Sequence, residues 1–116
     1  MRMWMVPPEW LYNQHLLGEH GEIHKHRHNF EKGHSIRGRL EPVVLVEPAS
    51  LAQRHNELAL EMLARGMNHK SPFTQPDLSS YDDLQKYAKV DVDVSVTDLC
   101  ARCEKCRIRI EKLKEL

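Results

Sequence analysis

A long helical stretch bounded by Pro7-Pro8 upstream and Gly33 downstream limits most strongly what this chain can become. Proline blocks a helix arriving from upstream yet suits a first turn, and glycine accepts the left-handed conformation that ends one. A helix is therefore expected from near Glu9 to near Gly33. Along it Leu11, His15, Gly18 and Glu22 fall on one stripe at helical spacing, while Leu16, His20, Ile23, Arg27 and Phe30 fall on another. The second stripe reads as core, with Arg27 snorkelling at its end. Gly18 and Gly21 each weaken such a helix by about 1 kcal/mol relative to Ala, a cost that close approach of another backbone would explain.

A second helix is marked by Ser50 and Gln53 as a capping box, by an apolar stripe of Leu51, Leu58, Ala59, Met62 and Leu63, and by Gly66 as its stop after Arg65. Between the two helices, residues 34–48 read as a loop with a short extended piece at Val43–Val46. Residues 68–79 form another loop, and Ser80–Ala88 a short helix begun by Ser80 and Asp83. Val90, Val92, Val94 and Val96 alternate with polar residues, which favours an extended linker because no convincing partner strand exists. A third helix is expected from Ser95, capped by Asp98, to about Lys114, with Leu99, Cys103, Cys106, Ile110 and Leu113 along its inner side. The sum is an all-α, compact single domain over residues 1–116, with about three main helices and long loops.

Lys plus Arg equals Asp plus Glu at 17 each, so net charge points to no partner. Local clustering does. From His20 to Arg39 the five cations Lys25, Arg27, Lys32, Arg37 and Arg39 face two anions, Glu22 and Glu31, a candidate footprint for a polyanion. No apolar run approaches the roughly 20 residues of a membrane span, and no secretory signal opens the chain, which implies a cytoplasmic protein. The cysteines Cys100, Cys103 and Cys106 have C-x2-C-x2-C spacing but lack a fourth cysteine and flanking turn residues. Small buried core residues are favoured over a structural zinc completed by a histidine. His24, His26 and His28 alternate along a helix, which turns His26 away from the i, i+4 pair of the other two and leaves surface facing a polyanion the favoured reading. The ion-bearing Arg54, Glu57, Glu61 and Arg65 of the second helix read as a surface network.

Met1-Arg2 followed by Gln14-His15-Leu16-Leu17, Glu19 and Glu22 resembles the start of phage endonuclease V, the pyrimidine dimer DNA glycosylase family. Lys32, His34 and Gly38 resemble that family's basic loop, and Leu51, Arg54, Glu57-Leu58, Glu61, Leu63, Arg65-Gly66 and Asn68 its central helix. The resemblance covers roughly residues 1–70. It implies an all-α fold whose N-terminal segment passes between helices and sets the terminal amine beside a helix-borne glutamate. It further implies excision of a damaged pyrimidine through an imine between that amine and the sugar, then β-elimination of the strand. By spacing, Met1 is the nucleophile and Glu22 its partner. Arg2, His15, Lys25, His34, Arg37 and Arg39 are then the candidates for holding DNA. No cofactor or metal is implied, the partner is double-stranded DNA with a base lesion, and a monomer is expected.

An α-amine suits this role because its ordinary pKa is about 7.7–8.0 against about 10.4 for lysine, and Arg2 with the loop cations should lower it further. The family's arginine just before the glutamate is Gly21 here, and its aromatic, basic C-terminal segment is replaced by the cysteine-bearing helix. Two other readings use the same residues. One is a noncatalytic DNA-binding module with zinc on the cysteines, and the other a metal-dependent nuclease built on the histidines.

Overall fold

The computed structural model describes residues 1–115. Its elements are helices α1 (Asn13–Glu31), α2 (Leu51–Ala64), α3 (Asp83–Lys86), α4 (Val92–Arg102) and α5 (Glu104–Lys114), with short 3-10 turns at Pro8–Trp10, Arg37–Arg39 and Pro48–Ser50. No strand occurs among the described residues, so the all-α expectation holds. None of the described helices is long and apolar enough to cross a membrane.

The N-terminal segment is the axle of the fold. Met3, Trp4 and Val6 are buried among Leu16 and Ile23 of α1, Leu51 and Leu58 of α2, and Leu99 and Ile110 of α4 and α5. Its backbone is held from three sides. Met3 N–H donates to Leu45 O at 2.7 Å, Ser95 Oγ donates to Trp4 O at 2.6 Å, and Arg54 Nη1 donates to Val6 O at 2.7 Å. The extended piece around Leu45 thus serves the chain start rather than a sheet.

Both glycine stops behave as the sequence predicts. Gly33 (φ 72°) and Gly66 (φ 81°) occupy left-handed backbone. At the first, Gly33 N–H bonds Phe30 O and His34 N–H bonds Asn29 O; at the second, Gly66 N–H bonds Leu63 O and Met67 N–H bonds Met62 O, so each helix closes in a Schellman motif. A Cβ on Gly33 would also lie 2.5 Å from Ser80 Cβ.

Other boundaries are decided by tertiary contacts. The first helix does not begin at Glu9. A 3-10 turn is followed by extended Leu11 (ψ 129°), because Leu11 plugs the core and the Tyr12 N–H donates to Cys106 Sγ at 3.3 Å. The Ser50 capping box is absent, since Ser50 Oγ donates instead to Glu47 at 3.0 Å. The freed α2 terminus is satisfied by Gln75 from the later loop, whose Oε1 accepts from Ala52 N–H at 3.0 Å.

The short helix α3 is capped by Asp82, not Ser80, through Gln85 N–H at 2.9 Å. The valine stretch is not a linker. Asp91 caps α4 by accepting from Val94 N–H at 3.2 Å, and the buried pair is Ser95 and Leu99 at i, i+4, with Val92 and Val94 exposed. The period-2 valine pattern is therefore a surface feature of a helix. Asp98 does not cap a helix. It sits inside α4 and pairs with Arg2 and Arg102. The third expected helix is two, because Cys103 takes an extended conformation and its Sγ caps α5 through Cys106 N–H at 3.4 Å. Cys103 and Cys106 are buried in the core as expected, with Cys100 half-buried.

Arg54 corrects the surface-network reading of α2. It is 1% exposed, while Arg65 bonds Glu61 at 2.9 Å and Asn13 Oδ1 at 2.8 Å, tying α2 to the start of α1. Gly18 and Gly21 are not sites of close backbone approach, for an added Cβ at either meets nothing within 4 Å.

Candidate active site

Threading the chain start through the core brings its amine to α1. The Met1 amine is partly buried and its pKa lies below the usual 8.0, first because burial disfavours the ammonium. Arg39 lowers it further, Glu22 pulls the other way, and Lys25 adds a smaller lowering. Arg39 arrives on the 3-10 turn, whereas Glu22 and Lys25 come from successive turns on one side of α1. Arg2, expected from sequence to act on the amine, turns its guanidinium onto Asp98 and lies 3.9 Å over the Trp4 ring.

Glu22 is the chemically open group. Its Oε2 is buried and has no hydrogen-bond partner. His26 Nε2 lies 2.9 Å from that oxygen, within ion-pair reach but out of line for a hydrogen bond. A buried carboxylate oxygen left without a donor is costly unless a ligand or reacting group completes it.

Two separate concavities are lined by these groups. One, of about 220 Å³, is lined by Arg2, Trp4, His15, Gly18 and Glu22. The other, of about 250 Å³, is lined by Met1, His26, His34, Ile36 and Arg39. Met1 lines one hollow and Glu22 the other. A larger hollow, about 690 Å³, is a mostly apolar groove between Val43 and α4 and holds neither Met1 nor Glu22.

The remaining DNA-contact candidates split by environment. Lys25, His34, Arg37 and Arg39 are exposed. Arg37 leans toward Glu41 at 3.4 Å, whereas Lys25 and Arg39 form no ion pair among the described residues. His15 is half-buried, its Nδ1 3.5 Å from Cys106 Sγ and its ring edge-on to Trp4 at 5.8 Å; burial lowers its pKa, so it stays neutral at physiological pH. His15, Cys103 and Cys106 gather their ligand atoms within 4.8 Å. Both sulfurs already accept backbone N–H groups, and burial pushes the Cys106 thiol up to about 11.

The alternating histidines separate. His26 belongs to the Glu22 side, His28 is exposed, and His24 turns inward to meet His20, His55 and His69. His55 and His69 carry no local signal in the sequence, although the i, i+4 spacing of His20 and His24 marks half of the group. Burial first, then the neighbouring imidazoles, hold His20 at about 4 and lower His24 as well.

A helical fold with its chain start threaded through the core brings a lowered α-amine within electrostatic reach of Glu22, on a face that also carries Lys25 and Arg39. The family model of pyrimidine dimer DNA glycosylase matches residues 1–75, and the chain belongs to that family. The family is one of DNA-repair enzymes, so damaged DNA is the partner that membership implies. No curated protein and no solved structure matches the chain.

Proposed function

We propose that this protein is a DNA glycosylase with abasic-site lyase activity, in which the Met1 amine is the nucleophile and Glu22 manages protons. The observation that carries this is the lowered Met1 amine within electrostatic reach of a carboxylate whose Oε2 has no hydrogen-bond partner.

The neutral amine attacks the sugar carbon that bears the damaged base. A new C–N bond forms, and the bond to the base breaks, the base leaving with the electron pair. Loss of the amine proton and opening of the sugar ring give an imine. Glu22 takes the amine proton and returns it to the sugar ring oxygen as the ring opens. Its regenerated carboxylate offsets the positive charge of the protonated imine, and the departed base takes a proton from solvent. Removal of the neighbouring sugar proton then breaks the bond to the 3′ phosphate by β-elimination. Lys25, His34, Arg37 and Arg39 hold flanking phosphates, Arg2 lines the approach to Glu22, and His15 orients the carboxylate or contacts backbone. The substrate is duplex DNA with a pyrimidine lesion displaced from the stack, and the protein acts as a monomer.

The test is reductive trapping. Borohydride is added to protein with a verified N-terminal Met1 mixed with abasic or dimer-containing duplex, and the covalent adduct is scored by gel shift and mass spectrometry. Glu22→Gln and a variant with one residue added before Met1 should both retain their helical circular dichroism and lose strand nicking. Unchanged nicking by both removes the mechanism.

A further inference from the structure

Four imidazoles from three separate parts of the chain aim the same ring nitrogen at one point. His20 and His24 share a face of α1 at i, i+4, His55 lies on α2, and His69 sits in the loop after it. His69 Nε2 is 2.8 Å from His20 Nε2 and 3.3 Å from His55 Nε2, while His55 Nε2 is 3.0 Å from His24 Nε2. All four ligand atoms lie within 4.8 Å of one another.

We propose that His20, His24, His55 and His69 form a tetrahedral site for one transition-metal ion, zinc(II) by ligand class, which staples the loop after α2 to α1 and α2. A tetrahedral zinc with Zn–N bonds of about 2.0–2.1 Å separates its ligand nitrogens by about 3.4 Å. The observed separations of 2.8, 3.0 and 3.3 Å lie just below that value and all four nitrogens lie within 4.8 Å of one another, so small side-chain adjustments close the shell.

The surroundings fit a metal more closely than a simple histidine cluster. His55 is 2% exposed, and its Nδ1 lies 2.9 Å from Asn56 Oδ1. An oxygen there fixes the ring proton on Nδ1 and leaves the Nε2 lone pair facing inward, the outer-shell arrangement of metal-bound histidines. Phe73 stacks on His55 at 5.1 Å and meets His24 edge-on at 5.6 Å, closing the site with an apolar wall. Four protein ligands leave no open position, so the ion would be structural and not catalytic. Its mechanical role is clear from what the loop carries. Gln75 caps α2, Thr74 O accepts from Arg27 at 2.6 Å, and Asp77 N–H donates to Glu31 at 2.7 Å. A small domain with three free cysteines gains from such a clip.

The experiment uses the full, untagged chain, since a histidine tag would bind the probe. Chelator-treated protein is titrated with zinc chloride and, separately, with cobalt(II) chloride, and the histidine ring nitrogens are followed by NMR. One equivalent of zinc should bind, raise the melting temperature and shift the Nε2 signals of these four rings. His69→Gln and His24→Gln should each weaken binding by about a hundredfold. Cobalt should give intense tetrahedral visible bands without thiolate charge transfer. The site is overturned if the wild-type chain binds no zinc, if both variants bind as tightly as wild type, or if the cobalt spectrum carries a thiolate band that places the ion on the cysteines. Should a variant fail to fold, the wild-type NMR and cobalt spectra still decide. None of these readouts depends on glycosylase activity.

Discussion

Glu19 on α1 and Arg54 on α2 meet in the core as a two-toothed ion pair, Arg54 Nε to Glu19 Oε2 at 2.5 Å and Nη2 to Oε1 at 2.9 Å. The remaining nitrogen of the same guanidinium holds Val6 O. One side chain thus joins both long helices to the segment that carries Met1.

Breaking that pair from one side strands a buried charge, so Arg54→Ala should cost about 3–5 kcal/mol of stability. Urea unfolding monitored by circular dichroism measures it. Replacing both partners with apolar residues, Glu19→Leu with Arg54→Met, should restore most of the loss because no charge is then left unpaired. Adduct trapping by the double variant should remain impaired, since Val6 O has lost its anchor. Full trapping would show that the chain start needs no clamp.

The Met1 amine provides a pH handle. Its pKa is lowered by burial and then by Arg39, and the reactive form is the neutral amine. The acid limb of single-turnover trapping should therefore lie below that of an ordinary α-amine. Arg39→Ala removes a positive charge, favours the ammonium and moves the limb to higher pH. The measurement is made at saturating DNA so that lost phosphate contact does not enter. An unmoved limb would mean that Arg39 does not act on the amine.

Gly18 has no neighbour within 4 Å of an added Cβ and lines the hollow beside Glu22. Gly18→Ala should stabilise the helix by up to about 1 kcal/mol, read by thermal unfolding. The same methyl group enters the hollow, so affinity for abasic duplex should fall while stability rises. A gain in both would show that DNA does not use this surface.

Lys25 and Arg39 are exposed and without ion-pair partners among the described residues, so both are free to meet phosphates. Each changed to Ala should reduce the slope of log affinity against log salt by about one. Arg107 of α5, already 3.1 Å from Glu111, should leave the slope unchanged when replaced by Ala. Equal slopes for all three variants would move the DNA surface elsewhere.

The sequence by itself determined the helical class, the stops of α1 and α2, and the buried fate of Cys103 and Cys106. These are local matters: glycine supplies left-handed backbone wherever it stands, and apolar spacing selects a face. The pairing of Met1 with Glu22 rests only on a family resemblance, because no local rule relates a chain start to a helix many residues on. Tertiary structure alone decided where α1 begins, why Ser50 fails as a cap, and why the last helix breaks at Cys103. In each case a distant partner, Cys106 for the Tyr12 N–H and Gln75 for the α2 terminus, or a local sulfur cap at Cys103 in a packed core, outweighed helical propensity. The four-histidine cluster and the Glu19–Arg54 clamp belong to the same class. Their members lie up to 49 residues apart, and only packing of α1 against α2 turns separate polar residues into a site.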